Sequence, residues 1–296
     1  VGIALIALVF GFIFISSYNE TKQTKLDKRS ILYSTVGFGM MLYAFSSAGS
    51  LGFANPIIIV TLIVSLIIIL IFVRRQLTIS NPLLNLKVFK TRTFCFSTIT
   101  SMIVMMSMVG PALLIPLYVQ NALALSALLS GLVIMPGAII NGLMSVFTGS
   151  FYDKYGPRPL IISGFTILTV CTFLLCFLKA DTSYMYLIII YAIRMFAVSL
   201  LMMPINTAGI NALENKNISH GTAIMNFGRV MAGSLGTALM VTFMSMGSKW
   251  LGSTIATSGS KEMIQRQTVA AGVDVSFALV TLFVAVSYTH LTLPTK

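Results

Sequence analysis

Apolar stretches of about 18 residues or more recur along this chain, long enough for a helix to cross a bilayer. Lipid offers the backbone no hydrogen-bond partners, so a crossing segment must be a helix or a strand of a closed barrel. Barrel strands alternate apolar and polar residues over short segments, and these runs do not. A soluble chain carries about 25% charged residues; here the figure is 9%, against 57% hydrophobic. The expected fold class is an all-α polytopic membrane protein.

Nine spans are expected: Val1–Ser16 (truncated), Ile31–Ala48, Pro56–Val73, Phe94–Tyr118, Ala127–Thr148, Leu160–Leu178, Tyr184–Ala208, Thr222–Met246 and Val273–Val286 (truncated). The loops between them alternate in charge. One set holds Lys22, Lys25, Lys28, Arg29, Arg74, Arg75, Lys87, Lys90, Arg92, Lys154, Arg158 and Lys216, while the other holds Lys179, Lys249, Lys261 and Arg266. Cytoplasmic loops carry the excess of Lys and Arg, which puts the first set inside the cell. The net charge of +12 is thereby explained by topology. Nucleic-acid binding, which needs a solvated basic face, is not expected.

Several other function classes find no support. Cys95, Cys171 and Cys176 all lie in apolar segments and read as small buried hydrophobes, without disulfide or metal spacing. His220 and His290 form no metal pair, and His220 is placed at the start of a helix or in its loop. No Gly-Lys-Ser/Thr phosphate loop is present, and no paired carboxylates or nucleophile–base set falls within the spans. The chain is not expected to be an enzyme or to need a cofactor.

Both ends read as cut. Val1 lies inside an apolar run with no signal-peptide pattern, and the run after Val273 stops near Val286. The following "SYTHLTLPTK" resembles a translated sequencing adapter, so 287–296 is expected to be non-native and the chain a fragment. Between Arg74 and Arg92, leucines mixed with basic residues suit either an interfacial amphipathic helix or an ordinary positive-inside linker. Residues 247–272 read as the longest external loop, with Trp250 at the headgroups.

The spans also contain residues that do not favour a plain helix. Pro111 and Pro116 interrupt the fourth, Pro136 the fifth and Pro204 the seventh, where proline removes a hydrogen bond and kinks the chain. Transporters use broken helices near a central site; proline is also commoner in membrane helices generally. Gly233 and Thr237, with Ser234 and Ala238, have the four-residue spacing of close helix packing. Met102, Met105, Met106 and Met108 suit either an adaptable ligand surface or simple packing.

Arg194 lies about 15 Å into its span at 1.5 Å per residue, near the midplane. An arginine there costs about 2.5–3.5 kcal/mol on insertion scales and should face protein or water. Arg229, two turns into the next span, could snorkel outward instead. The seven carboxylates (Glu20, Asp27, Asp153, Asp181, Glu214, Glu262 and Asp274) read as lying in loops or at span ends. A midplane arginine must then pair with carbonyls, water, substrate or an acid outside this chain. Asn141, Asn206, Asn211 and Asn226 either join the same polar cavity or bond between helices.

"GSFYDKYGPRPL" at 149–160 supplies the specific comparison. It resembles the Gly-x-x-x-Asp-Lys/Arg-x-Gly-x-Arg signature of the major facilitator superfamily, matched by Gly149, Asp153, Lys154, Gly156 and Arg158. Pro157 stands where many members carry a basic residue. "IRMFAVSLLMMPINTAGINAL" and "HGTAIMNFGRVMAGSLGTAL" resemble the fourteen-helix drug:proton antiporter family, of the lincomycin-resistance or multidrug-exporter type, with Val230 departing from a common glutamine.

The resemblance implies a domain plan and a mechanism. Residues 1–16 would be the last helix of an amino-terminal bundle, 17–93 two inserted helices with their linkers, and 94–286 the carboxy-terminal six-helix bundle. The partners implied are small lipophilic substrates, protons, the lipid bilayer and a missing amino-terminal half that holds the proton-coupling acid. A proton gradient would drive efflux of lipophilic, often cationic, drugs from the cytoplasm by alternating access. Gly149, Asp153, Lys154, Gly156 and Arg158 would form the conformational switch. Arg194, Asn206, Asn226, Arg229 and Asn141 would line an intramembrane cavity, with Arg194 setting the protonation of the absent acid. Pro111, Pro136 and Pro204 would be the kinks. Two alternatives stand beside this: an exporter of a metabolite, peptide or siderophore, and a non-transporting membrane scaffold. Any of the three places the chain in the cell membrane.

Overall fold

The structure is a computed structural model that describes Phe10 and residues 27–80, 82–255 and 261–292. The first expected span falls, but for Phe10, outside these residues, as do Glu20, Lys22 and Lys25. Among the described residues the chain is helical and without strands, and eight helices are long and apolar enough to cross a membrane.

Helices α1 (Lys28–Leu51) and α2 (Pro56–Thr78) form an antiparallel hairpin. Gly52, at φ +83°, ends α1. Asn55 opens α2 by accepting a hydrogen bond from the Ile57 amide at 2.9 Å, with proline at the first helical position, where its missing N–H costs nothing. The remaining helices are α3 (Arg92–Asn121), α4 (Ala127–Tyr155), α5 (Pro157–Leu174), α6 (Tyr184–Asn211), α7 (Ile218–Ile255) and α8 (Lys261–Thr292). One continuous core joins α3 to α8 through Tyr118, Phe165, Leu168, Leu201 and Phe277. Helix α6 is its most enclosed member.

Two seams organise this bundle. Along the first, α7 presents glycines to methionines of α3: Gly228 faces Met102, Gly233 faces Met105 and Val109, and Gly236 lies against the Met106 backbone. The α3 methionines therefore pack between helices, the plainer of the two sequence readings. Along the second, α1 docks on α7. Ala48, Ile58 and Ala238 form a small buried cluster, and the Phe38 and Phe227 rings sit 4.1 Å apart.

The end of the hairpin at Asp27 and Arg75 is tied down by polar bonds that the sequence did not reveal. Arg75 grips Asp27 through both Nε (2.6 Å) and Nη2 (3.0 Å). Ser30 donates to the same carboxylate at 2.6 Å and accepts from Gln76 at 2.7 Å. Gln76 in turn accepts the Leu84 amide at 3.1 Å, and Asn85 donates to Asn217 of the bundle at 2.9 Å. The Arg75 guanidinium, with Ser30, holds the Asp27 carboxyl well below the usual carboxylate range. A depressed folded pKa contributes stability above the unfolded value, near 3.9, and loses it as pH falls below that. Asp27→Asn is therefore expected to speed amide exchange at Leu84 and Asn85 equally at pH 6 and pH 8. The unsubstituted protein should show such loosening only below about pH 4.

One expectation needs correction, that residues 247–272 form a loop. Helix α8 runs from Lys261 to Thr292, and Ala270, Val273, Phe277, Val280 and Val284 form a buried stripe along it at helical spacing. Most of 247–272 is accordingly helix rather than loop, and the segment expected to be non-native continues α8 as far as Thr292. Of the two readings of 74–92, the described residues favour the plain linker: α2 continues to Thr78, and a 3-10 turn spans Leu86–Lys90. Helices α3, α4 and α6 each continue through their prolines, Pro111 and Pro116, Pro136, and Pro204.

At 1.5 Å per residue, the 38 residues of α7 and 32 of α8 reach about 57 and 48 Å. A hydrocarbon core is about 30 Å thick. Both are longer than a perpendicular crossing needs, and Trp250 on α7 is 77% exposed.

Candidate functional site

The candidate switch is the turn between α4 and α5. Its shape comes from Gly156, which caps α4 by donating to the Tyr152 carbonyl at 2.8 Å and begins α5. There φ is +76° and ψ 177°, a region essentially reserved for glycine. Pro157 follows at the first position of α5, with φ already fixed for a helix. Asp153, Lys154 and Arg158 are all exposed. Lys154 lies 5.2 Å from the centre of the Tyr155 ring, and none of the three forms an ion pair among the described residues. The structure thus brings the turn charges together without joining Asp153 to Arg158. At Gly149 an added Cβ would meet Met203 at 3.4 Å.

The intramembrane residues divide into separate places. Arg194 is fully buried inside the bundle, where Nη2 donates to the Ser107 carbonyl of α3 and Nε to the Thr172 hydroxyl of α5 at 3.3 Å. Its Nη1 has no partner. Asn141 of α4 donates to the Met195 carbonyl at 3.1 Å, one residue along α6. Asn206 lies nearer the C-terminal end of α6 with its buried Oδ1 unsatisfied. Asn226 and Arg229 sit on α7 and bond to each other, with Asn226 exposed. The five expected cavity residues do not converge. Arg194 is held by the packed interior of the bundle, and Arg229 lies on a different helix.

Sequence reasoning missed the outer end. Tyr118 donates its hydroxyl to the Lys179 carbonyl, tying the α5–α6 turn to α3. Asp274 accepts the Leu178 amide at 2.9 Å, tying the same turn to α8. Asp274 reads as a span end in the sequence but lies well inside α8. The signal was present, since apolar residues flank Asp274 on both sides. Among the described residues no group of three or more His, Cys, Asp or Glu could hold a metal ion.

Comparison with known proteins agrees with this architecture. The profile of the Major Facilitator Superfamily matches residues 1–237. The chain is 41% identical over 273 residues to the "Lincomycin resistance protein LmrB" of Listeria monocytogenes, covering 92% of this chain and 58% of that protein. It is 40% identical over 275 residues to the protein of the same name from Bacillus subtilis, covering 92% and 57%. Against the "Multidrug export protein EmrB" of Escherichia coli the identity is 25% over 225 residues, covering 75% and 44%. The chain therefore spans under three-fifths of the length of these relatives.

Proposed function

The chain belongs to the major facilitator superfamily as a multi-pass protein of the cell membrane, and from that premise we propose that it is part of a drug exporter, a transporter rather than an enzyme. Similarity over 92% of its length to proteins named for lincomycin resistance carries this reading. In it, lipophilic and often cationic compounds leave the cytoplasm as two bundles rock about a central cavity. Proton entry drives the cycle without a bound cofactor, and the coupling acid lies in the amino-terminal half outside this chain.

The exposed turn at 153–158 supports a switching role. Asp153, Lys154 and Arg158 spend no charge on one another, which leaves them available to a facing bundle. Contacts made in one state and broken in the other bias the equilibrium between them. Arg194, by contrast, serves this reading by holding α3, α5 and α6 in register.

Export from cells lacking their own exporters, measured on the full-length protein with ethidium and a chemically varied panel, tests the proposal. Ethidium efflux should stop on addition of a protonophore, and Asp153→Asn should slow it at least ten-fold while leaving the amount of protein unchanged. Efflux that survives the protonophore would remove proton coupling. No efflux of any panel compound would favour the scaffold.

A further inference from the structure

A cavity of about 860 Å³ opens where the α5–α6 turn meets the first half of α8, at the end of the bundle expected to face outward. That is the size of a site for a drug-sized ligand, commonly about 300–1,000 Å³. Leu178, Ala270 and Ala271 supply apolar wall, Lys179 and Asp181 are exposed at its edge, and Arg266 and Asp274 add one charge of each sign to the lining.

Asp274 is the residue that needs explaining. Its Oδ1 is fixed by the Leu178 amide, and the carboxylate joins no ion pair among the described residues. The charges around it do not compensate it. Lys179 and Asp181 are exposed on the turn and Lys179 forms no ion pair with Asp274, and the Tyr118 hydroxyl is committed to the Lys179 carbonyl. Arg266 lies two turns earlier on α8, about 12 Å along the axis. A carboxylate partly withdrawn from water without a counter-ion is costly, and a ligand that brings a positive charge removes the cost. One oxygen held in place also orients the group beforehand, which lowers the ordering penalty on binding.

We propose that this cavity is an outer binding site for a lipophilic organic cation, with Asp274 as its counter-ion and Leu178, Ala270 and Ala271 as the apolar cradle. It lies on the outer face of one bundle, between α8 and the α5–α6 turn. It extends the export reading by giving the departing compound a place to rest, and its relevance to transport depends on that reading; binding itself does not.

The test uses the full-length protein in lipid nanodiscs with Cys95, Cys171 and Cys176 changed to alanine and Ala271→Cys as reporter on the cavity wall. Saturating tetraphenylphosphonium should slow labelling of the reporter by a water-soluble maleimide at least five-fold. Triphenylphosphine oxide, neutral and of similar shape, should not. Asp274→Asn should weaken the protection at least ten-fold, while Asp274→Glu and Asp181→Asn should keep it. Equal protection by the neutral compound, or none by the cation, overturns the proposal on the unsubstituted carboxylate, whatever the folding of the asparagine variant. Undiminished protection in Asp274→Asn overturns it as well. Protection without export would count against the export reading alone, and export without protection against this site alone.

Discussion

Arg194→Ala is expected to destabilise the purified protein by about 3–5 kcal/mol, the range for emptying a large buried side chain, and Arg194→Met by only about 1–2 kcal/mol. The difference follows from which part of the side chain matters. Arg194 is fully buried and makes two interhelical hydrogen bonds, to Ser107 and Thr172. Such bonds average about 0.6 kcal/mol each within membranes, because the unfolded helices also find partners. The volume of the side chain is worth more, since its loss leaves a void that close-packed helices fill only in part. Methionine restores most of that volume and removes the buried charge. Thermal unfolding of the three proteins in one detergent decides the point: equal losses for alanine and methionine would mean that the guanidinium bonds, not the packing, dominate.

Gly236→Ala is the second large expected effect, about 1–3 kcal/mol of destabilisation from overpacking, with Gly236→Val worse. A Cβ at Gly236 would lie 2.5 Å from Met106 Cγ, 2.9 Å from its carbonyl oxygen and 3.0 Å from its Cα. A flexible side chain can move aside, but a backbone cannot without separating α3 from α7. Gly142→Ala is the matched control. No atom lies within 4 Å of its Cβ position, so the better helix propensity of alanine should leave stability unchanged or raise it by up to about 1 kcal/mol. The same thermal measurement reads both. A Gly236→Ala protein as stable as the parent would show that the α3–α7 seam is looser than described.

These two residues also show what the sequence could and could not disclose. Uninterrupted apolar runs are a local property, and they made the spans from α1 to α7 readable. Arg194 is conspicuous in the sequence because lipid cannot solvate a guanidinium. Its real partners, a backbone carbonyl and a threonine hydroxyl, carry no sequence signal. The spacing of the small residues of α7 points to packing, but Gly236, where α7 meets the α3 backbone at Met106, lies outside the Gly233–Thr237 and Ser234–Ala238 pairs. For α8 the error was one of method: charge and Gly/Ser/Thr content were read as loop, although the stripe from Ala270 to Val284 was already periodic. The turn at 149–158 was legible because φ +76° at Gly156 demands one residue type. The Asp27–Arg75 pair was not, because it joins positions 48 residues apart across a hairpin.

The docking of α1 and α2 on α7 bears on the order of synthesis. The hairpin can close as soon as it leaves the ribosome, since Arg75 and Asp27 belong to it alone. Its hold on the bundle cannot form so early, because Asn217 follows Asn85 by 132 residues. At about 5–20 residues per second, the finished hairpin waits roughly ten seconds in the membrane with the Phe38 ring and the Ala48 surface uncovered. Insertion is thus staged: a self-contained pair of helices first, then a bundle that must arrive in register beside it.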